Sequence, residues 1–147
     1  MKKLIAALDF SDASEAVLRE TKAMAEALGA QVHLVHAIES LTNFYDIYGY
    51  TVPDTSEFEE HARERAAVRL AEKARELGLP DGRVVSKVLE GSAVDAILDY
   101  ANEHSESILV LGTHGHGVLS RVLVGSVAEK LLRRAHIPML MVPVREA

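Results

Sequence analysis

Short apolar runs alternate along this chain with longer stretches in which apolar residues return every three or four positions. Leu4 to Leu8 is the first run, and it reads as a buried strand that stops at Asp9-Phe10-Ser11-Asp12. Asp12 stands where it can cap a following helix, with Glu15 at the spacing of a capping box. Ala16, Val17, Met24, Ala27 and Leu28 make that helix's apolar face, and Gly29 ends it. Val32 to Ala37 is a second strand, after which the pattern breaks between Ser40 and Pro53. A charged helix opens near Ser56, with Glu59 again at capping-box spacing, and closes at Leu77-Gly78. Val84 to Leu89 is a third strand, and Ser92 with Asp95 opens a helix running to about Glu103. Ile108 to Leu111 is the fourth and most apolar strand, followed by a glycine-rich loop from Gly112 to Gly125. A helix from Ser126 to Arg134 and a strand from Met139 to Val144 complete the pattern.

Strict alternation of five strands and four helices predicts parallel strands joined by right-handed helical crossovers. The expected architecture is a single doubly wound, Rossmann-like α/β domain over residues 1–147, with helices on both faces of the sheet. The last strand carries Pro143, which points to a sheet edge.

Composition narrows the possible partners. Hydrophobic residues make up 48% of the chain, enough for a substantial core. A formal net charge of -6 disfavours nonspecific contact with nucleic acid or anionic membranes. There are no cysteines, hence no disulfide framework, thiolate nucleophile or cysteine-based zinc site. The apolar start from Leu4 to Leu8 is too short for a secretory signal, and no run approaches the roughly 20 apolar residues of a membrane span. The expected compartment is the cytoplasm.

In open parallel sheets, ligands bind beyond the carboxyl ends of the strands, where the winding reverses. Two such ends stand out. Asp9 sets a carboxylate directly after the first strand, and Gly112 opens a loop with four glycines directly after the fourth. If those strands are neighbours, the two features face one crevice. Gly125-Ser126 opens a helix whose free N–H groups suit a phosphate, with the Ser126 hydroxyl and the Arg121 charge as further contacts. The plainer alternative is a loop ending in an ordinary serine at a helix start. A P-loop would need Gly-Lys-Ser/Thr, and no lysine follows Gly125. A dinucleotide fingerprint would need glycine or alanine where Ser120 stands, and would follow the first strand.

The spacing Gly112-x2-Gly115-x9-Gly125-Ser126 resembles the signature of ATP-binding universal stress proteins. Leu8-Asp9-Phe10-Ser11, Leu34-Val35-His36-Ala37 and Ile137 to Pro143 resemble three strand ends of that family, so the likeness covers nearly the whole chain. It implies that Asp9, with Ala7 and Leu8, lies beside adenine and ribose, and that Ala37 meets adenine through its backbone. It places Leu111, Gly112, His114 and Gly115 along the ribose and α-phosphate, and Gly125, Ser126 and Val127 at the terminal phosphates. ATP, or AMP or ADP, is the implied ligand, with magnesium held largely through phosphates and water. Ala7 departs from the proline common at that position, which touches rigidity more than chemistry. The likeness also implies a homodimer through antiparallel pairing of Met139 to Val144, which would hide an exposed edge. The alternative is a monomer whose own tail covers that edge.

Other conspicuous residues have plainer readings. His114 and His116 in the loop, and His33 and His36 on a strand, lack a third convergent ligand for zinc. Strand geometry turns His33 and Val35 one way and His36 the other, suiting hydrogen-bonded packing or a strand-end contact. Ser92 lacks a nucleophile-elbow context and reads as a helix cap. Glu57, Glu59, Glu60, Glu64 and Glu72 alternate with Arg63, Arg65, Arg69 and Lys73 as a solvated, paired face. Phe44 to Tyr50 reads as a lid over adenine, a partner surface, or rings packed on the domain edge. Three functions follow in order. The first is an ATP-binding regulator whose nucleotide state a protein partner reads. The second is a slow ATPase or nucleotide-dependent transferase, for which Asp9 and His114 are the only candidate bases. The third is a dimeric interaction module that binds no nucleotide.

Overall fold

The computed structural model describes residues 2–39, 49, 56–113 and 125–143. Five strands, β1 (Lys3–Ala7), β2 (Gln31–Ile38), β3 (Val84–Glu90), β4 (Ser107–Gly112) and β5 (Met139–Val142), form one sheet in the order β3-β2-β1-β4-β5. Every pairing is parallel, with Ala7 opposite Val35, Lys3 opposite Ser107, and Leu109 opposite Met139. Four helices lie between them: α1 (Ala13–Leu28), α2 (Ser56–Leu77), α3 (Ala93–Glu103) and α4 (Ser126–Arg134). The alternating pattern thus produced the doubly wound α/β domain it predicted. The first and fourth strands are neighbours, and the winding reverses between them.

Side-chain alternation on the strands divides the core in two. Leu4, Ala6, Leu8 and Leu34 face α1 and α2, meeting Val17, Leu18, Leu70 and Leu77. Ile5, Val35, Leu109 and Leu111 face α3 and α4, meeting Ile97, Leu98, Ala128 and Leu131. The inner strands β1 and β4 are apolar on both faces because helices cover both. Each fully buried leucine or isoleucine in these layers contributes about 1.5–3 kcal/mol from burial alone. No helix among the described residues is long and apolar enough to cross a membrane.

Local signals decide the helix ends, with one correction. Gly29 closes α1 in the left-handed conformation, φ 63°, and its N–H bonds to the Ala25 carbonyl. Ser92 caps α3 as expected, accepting from the Asp95 N–H. The capping box at Asp12 does not form: Asp12 sits in the helical region and its side chain makes no cap bond. Asp9 acts instead. One of its oxygens accepts the Ser11 N–H at 2.9 Å and the Ser11 hydroxyl at 2.5 Å, a local turn that competes with helical capping. Glu15, freed from the box, pairs with Lys73 of α2 at 2.7 Å.

Candidate functional site

The carboxyl ends of β1, β2 and β4 open into a cleft of about 410 Å³. That is within the range of pockets that hold small ligands, roughly 300–1,000 Å³. Nine residues singled out from the sequence line it: Ala7, Leu8, Asp9, Ala37, Leu111, Gly112, Gly125, Ser126 and Val127. His114, Gly115 and Arg121 lie outside the described residues, as do His116 and the aromatic segment apart from Gly49.

Three strand ends build the walls. After β1 the chain passes Asp9 and turns at Phe10, which holds a φ of 61°, an unusual value for a residue with a side chain. The Phe10 ring lies 4.4 Å from the His36 ring, and the Arg69 guanidinium of α2 covers its other surroundings at 4.1 Å. This stack fixes the end of β2, where His36 donates from Nδ1 to the Leu8 carbonyl at 2.7 Å. His36 therefore makes the strand-end contact its spacing suggested, and it also lines the cleft.

The third wall is the end of β4 against the start of α4. The Gly125 N–H bonds to the Thr113 carbonyl, bringing the two together. No side chain caps α4 at Gly125, so its first amides face the cleft end without that competitor. Gly125 has φ -70° and ψ 163°, extended backbone that any residue adopts. Room for a close approach, rather than a special dihedral, is what glycine supplies there. Arg133 and Arg134 sit at the far end of α4 and leave its amino end as the positive pole.

The interior of the cleft is apolar. Val17, Val35, Ile97, Leu111 and Leu131 line it, reached from both faces of the sheet. Sequence reading passed over Ala13, Ser14, Val17, Ala93 and Ile97 as site residues, because their periodicity marks them only as helix residues facing the sheet. A flat apolar ring would fit this interior, and a charged tail would fit the amino end of α4. The residues present therefore suit a nucleotide. Among the described residues no group of three His, Cys, Asp or Glu is placed to hold a metal ion.

Residues 1–143 match the universal stress protein family. The chain belongs to that family. It is 30% identical over 141 residues to a universal stress protein encoded beside a QAH/OAS sulfhydrylase gene of Thermus aquaticus, covering 96% of this chain and 98% of that one. The structure of the protein MJ0577 superposes with a TM-score of 0.84 at 24% identity, covering 99% of this chain and 98% of that one. MJ0577 comes from Methanocaldococcus jannaschii. A family member from Archaeoglobus fulgidus, solved in complex with dAMP, superposes with a TM-score of 0.60 at 24% identity, covering 97% and 98%. These two structures share the fold of this universal stress protein.

Proposed function

We propose that this universal stress protein holds an adenine nucleotide in the cleft, with ATP and magnesium as the first choice and AMP or ADP as alternatives. The observation that carries this reading is a single cleft joining an apolar interior to the uncapped amino end of α4. The base would lie among the apolar side chains with Ala37 and Asp9 at its edge. The phosphates would take the amides at Gly125, Ser126 and Val127, where a helix amino end favours negative charge. A magnesium ion would bind through phosphate oxygens and water. The relative solved with dAMP supports an adenine nucleotide at this fold.

Among the described residues, the groups at the cleft suit retention more than turnover; His114, the other candidate base, lies outside them. Phosphoryl transfer needs a positioned base or nucleophile. The Asp9 carboxylate is engaged with Ser11, and His36 spends its Nδ1 on Leu8. The function we infer is regulatory: nucleotide occupancy biases the loops around the cleft, and a protein partner reads the result in the cytoplasm. A second copy would pair along β5, whose Met139, Leu140 and Met141 are half-buried at the sheet edge.

Mass analysis of the nucleotide that co-purifies, then ATP titration calorimetry of the stripped protein with and without magnesium, tests the reading. Binding is expected, and Gly125→Val should reduce affinity at least a hundredfold while the fold survives, because a branched side chain occupies the phosphate approach. A wild-type protein that binds no adenine nucleotide under either condition would overturn the proposal.

A further inference from the structure

Ser14 is 3% exposed, and among the described residues its hydroxyl has no hydrogen-bond partner. It stands in the first turn of α1, one residue past Ala13, and it lines the cleft beside Val17. Its own N–H is satisfied by the Ser11 carbonyl at 3.0 Å, so the orphan is the side chain alone. A hydroxyl taken out of water without a partner is destabilising, and alanine would fill the same helical position without that cost. Thr21, the buried hydroxyl one further pair of turns along α1, shows the usual remedy: it donates to the Val17 carbonyl at 2.7 Å. Ser14 does not take that remedy.

We propose that the Ser14 hydroxyl is a ligand-reading group, which hydrogen-bonds an uncharged polar atom of the nucleoside part of the bound nucleotide. The inference rests on the nucleotide reading above. Chemistry selects the nucleoside rather than the phosphates. The group is buried among apolar residues, where a phosphate would lose its hydration for a single neutral partner. A ring nitrogen, an exocyclic amine or a ribose hydroxyl is desolvated far more cheaply. A hydroxyl can donate or accept, so it serves either kind of edge. It would complement Asp9, which lines the same cleft and accepts only.

The test compares wild type with Ser14→Ala by displacement titration with ATP and with AMP, and by thermal unfolding of the nucleotide-free proteins. The variant should bind both nucleotides about tenfold more weakly, equivalent to about 1.4 kcal/mol. It should also unfold a few degrees higher, since the orphan hydroxyl is gone. These opposite signs are the signature of a group kept for its ligand. Unchanged affinity in Ser14→Ala, with wild type binding normally, would overturn this inference and leave the nucleotide reading intact. A lowered melting temperature would overturn it too, by showing that the hydroxyl supports the fold. A loss seen with ATP but not AMP would assign the contact to the phosphates and overturn the nucleoside assignment. Failure of wild type to bind would overturn both readings.

Discussion

At the scale of single residues, polar groups inside this domain divide into those with partners and those without. His33 is buried on β2 and has both ring nitrogens engaged. Gln31 Oε1, 3.1 Å from Nε2, can only accept, so Nε2 carries the proton. Nδ1 then accepts from the Tyr100 hydroxyl at 2.6 Å. This neutral tautomer is the stable form: burial first, then the His104 and Lys3 charges, pull the His33 pKa below the ordinary value. Burial, aided by Glu103, pushes the Tyr100 phenol up, which keeps its proton available. Because the unfolded chain takes up a proton at about pH 6.5 and the folded His33 resists it, the unfolded state binds more protons below that pH. Stability should therefore fall as pH drops from 7.5 towards 5.5. Urea midpoints measured across that range should show the fall in wild type, and a smaller one in His33→Gln. Equal slopes in the two proteins would assign the effect elsewhere.

At the scale of elements, basic side chains tie helices to their neighbours as well as pairing within single helices. The spacing of acids and bases on α2 suggested a solvated, paired face; Lys73 pairs with Glu76 along the helix as that implies, and further pairs run across the fold. Arg63 meets Glu90 at the end of β3, Arg69 covers Phe10, and Lys73 reaches Glu15 of α1. That last bond is the main cause holding the Lys73 pKa above its ordinary value. Such contacts are invisible to an i, i+4 argument because the partners are up to 59 positions apart in register terms that only folding sets. Arg83 is the most consequential example. It leads into β3 and donates to the Ala30 carbonyl from Nε at 3.1 Å and from Nη2 at 2.7 Å, with Nη2 also 3.1 Å from the Ala25 carbonyl. A permanent cation past the carboxyl end of α1 holds the Ala30 carbonyl, adds to the bonds the Ala25 carbonyl already takes from the Gly29 and Ala30 amides, and opposes the negative pole of the helix. Arg83→Met should lose about 1–2 kcal/mol in urea unfolding, because it removes the charged donors to the Ala30 and Ala25 carbonyls while keeping most of the apolar stem. A loss below about 0.3 kcal/mol would mean that water replaces the guanidinium without cost.

At the scale of the whole molecule, the sheet has two edges of different character. β3 is largely exposed and carries Ser86 and Lys87, polar residues that discourage pairing. β5 is short and apolar, with Met139, Leu140 and Met141 only half-buried. The carbonyls of Pro138 and Val142 bond inward to β4, at the Leu109 and Thr113 amides. Alternation then turns the Met141 N–H outward, towards any added strand. If β5 is the surface through which two copies associate, Met141→Pro removes an outward donor and leaves the inward ladder in place. Sedimentation should show dimers for wild type and monomers for the variant, with ATP affinity unchanged. A variant that remains dimeric would move the interface away from this edge.

Much of this protein was legible in its sequence, for a physical reason. Periodicity of burial is local: apolar runs, a 3.6-residue repeat and glycine stops act within a few residues, so every described strand and helix lies close to its expected place. The family likeness was equally legible, because backbone approach to a ligand needs glycine at set spacings such as Gly112 and Gly125. Nine of the site residues named from the sequence line the cleft. Only the tertiary structure decided which distant groups meet. Asp9 folds back on Ser11, Asp12 makes no side-chain cap bond, and Arg69 crosses from α2 to Phe10. Ser14 is left buried at the cleft with its hydroxyl unpaired among the described residues. Each of these depends on desolvation and distance between segments far apart in the chain, and a hydrogen-bonding side chain carries no local mark of the partner that folding will give it or withhold.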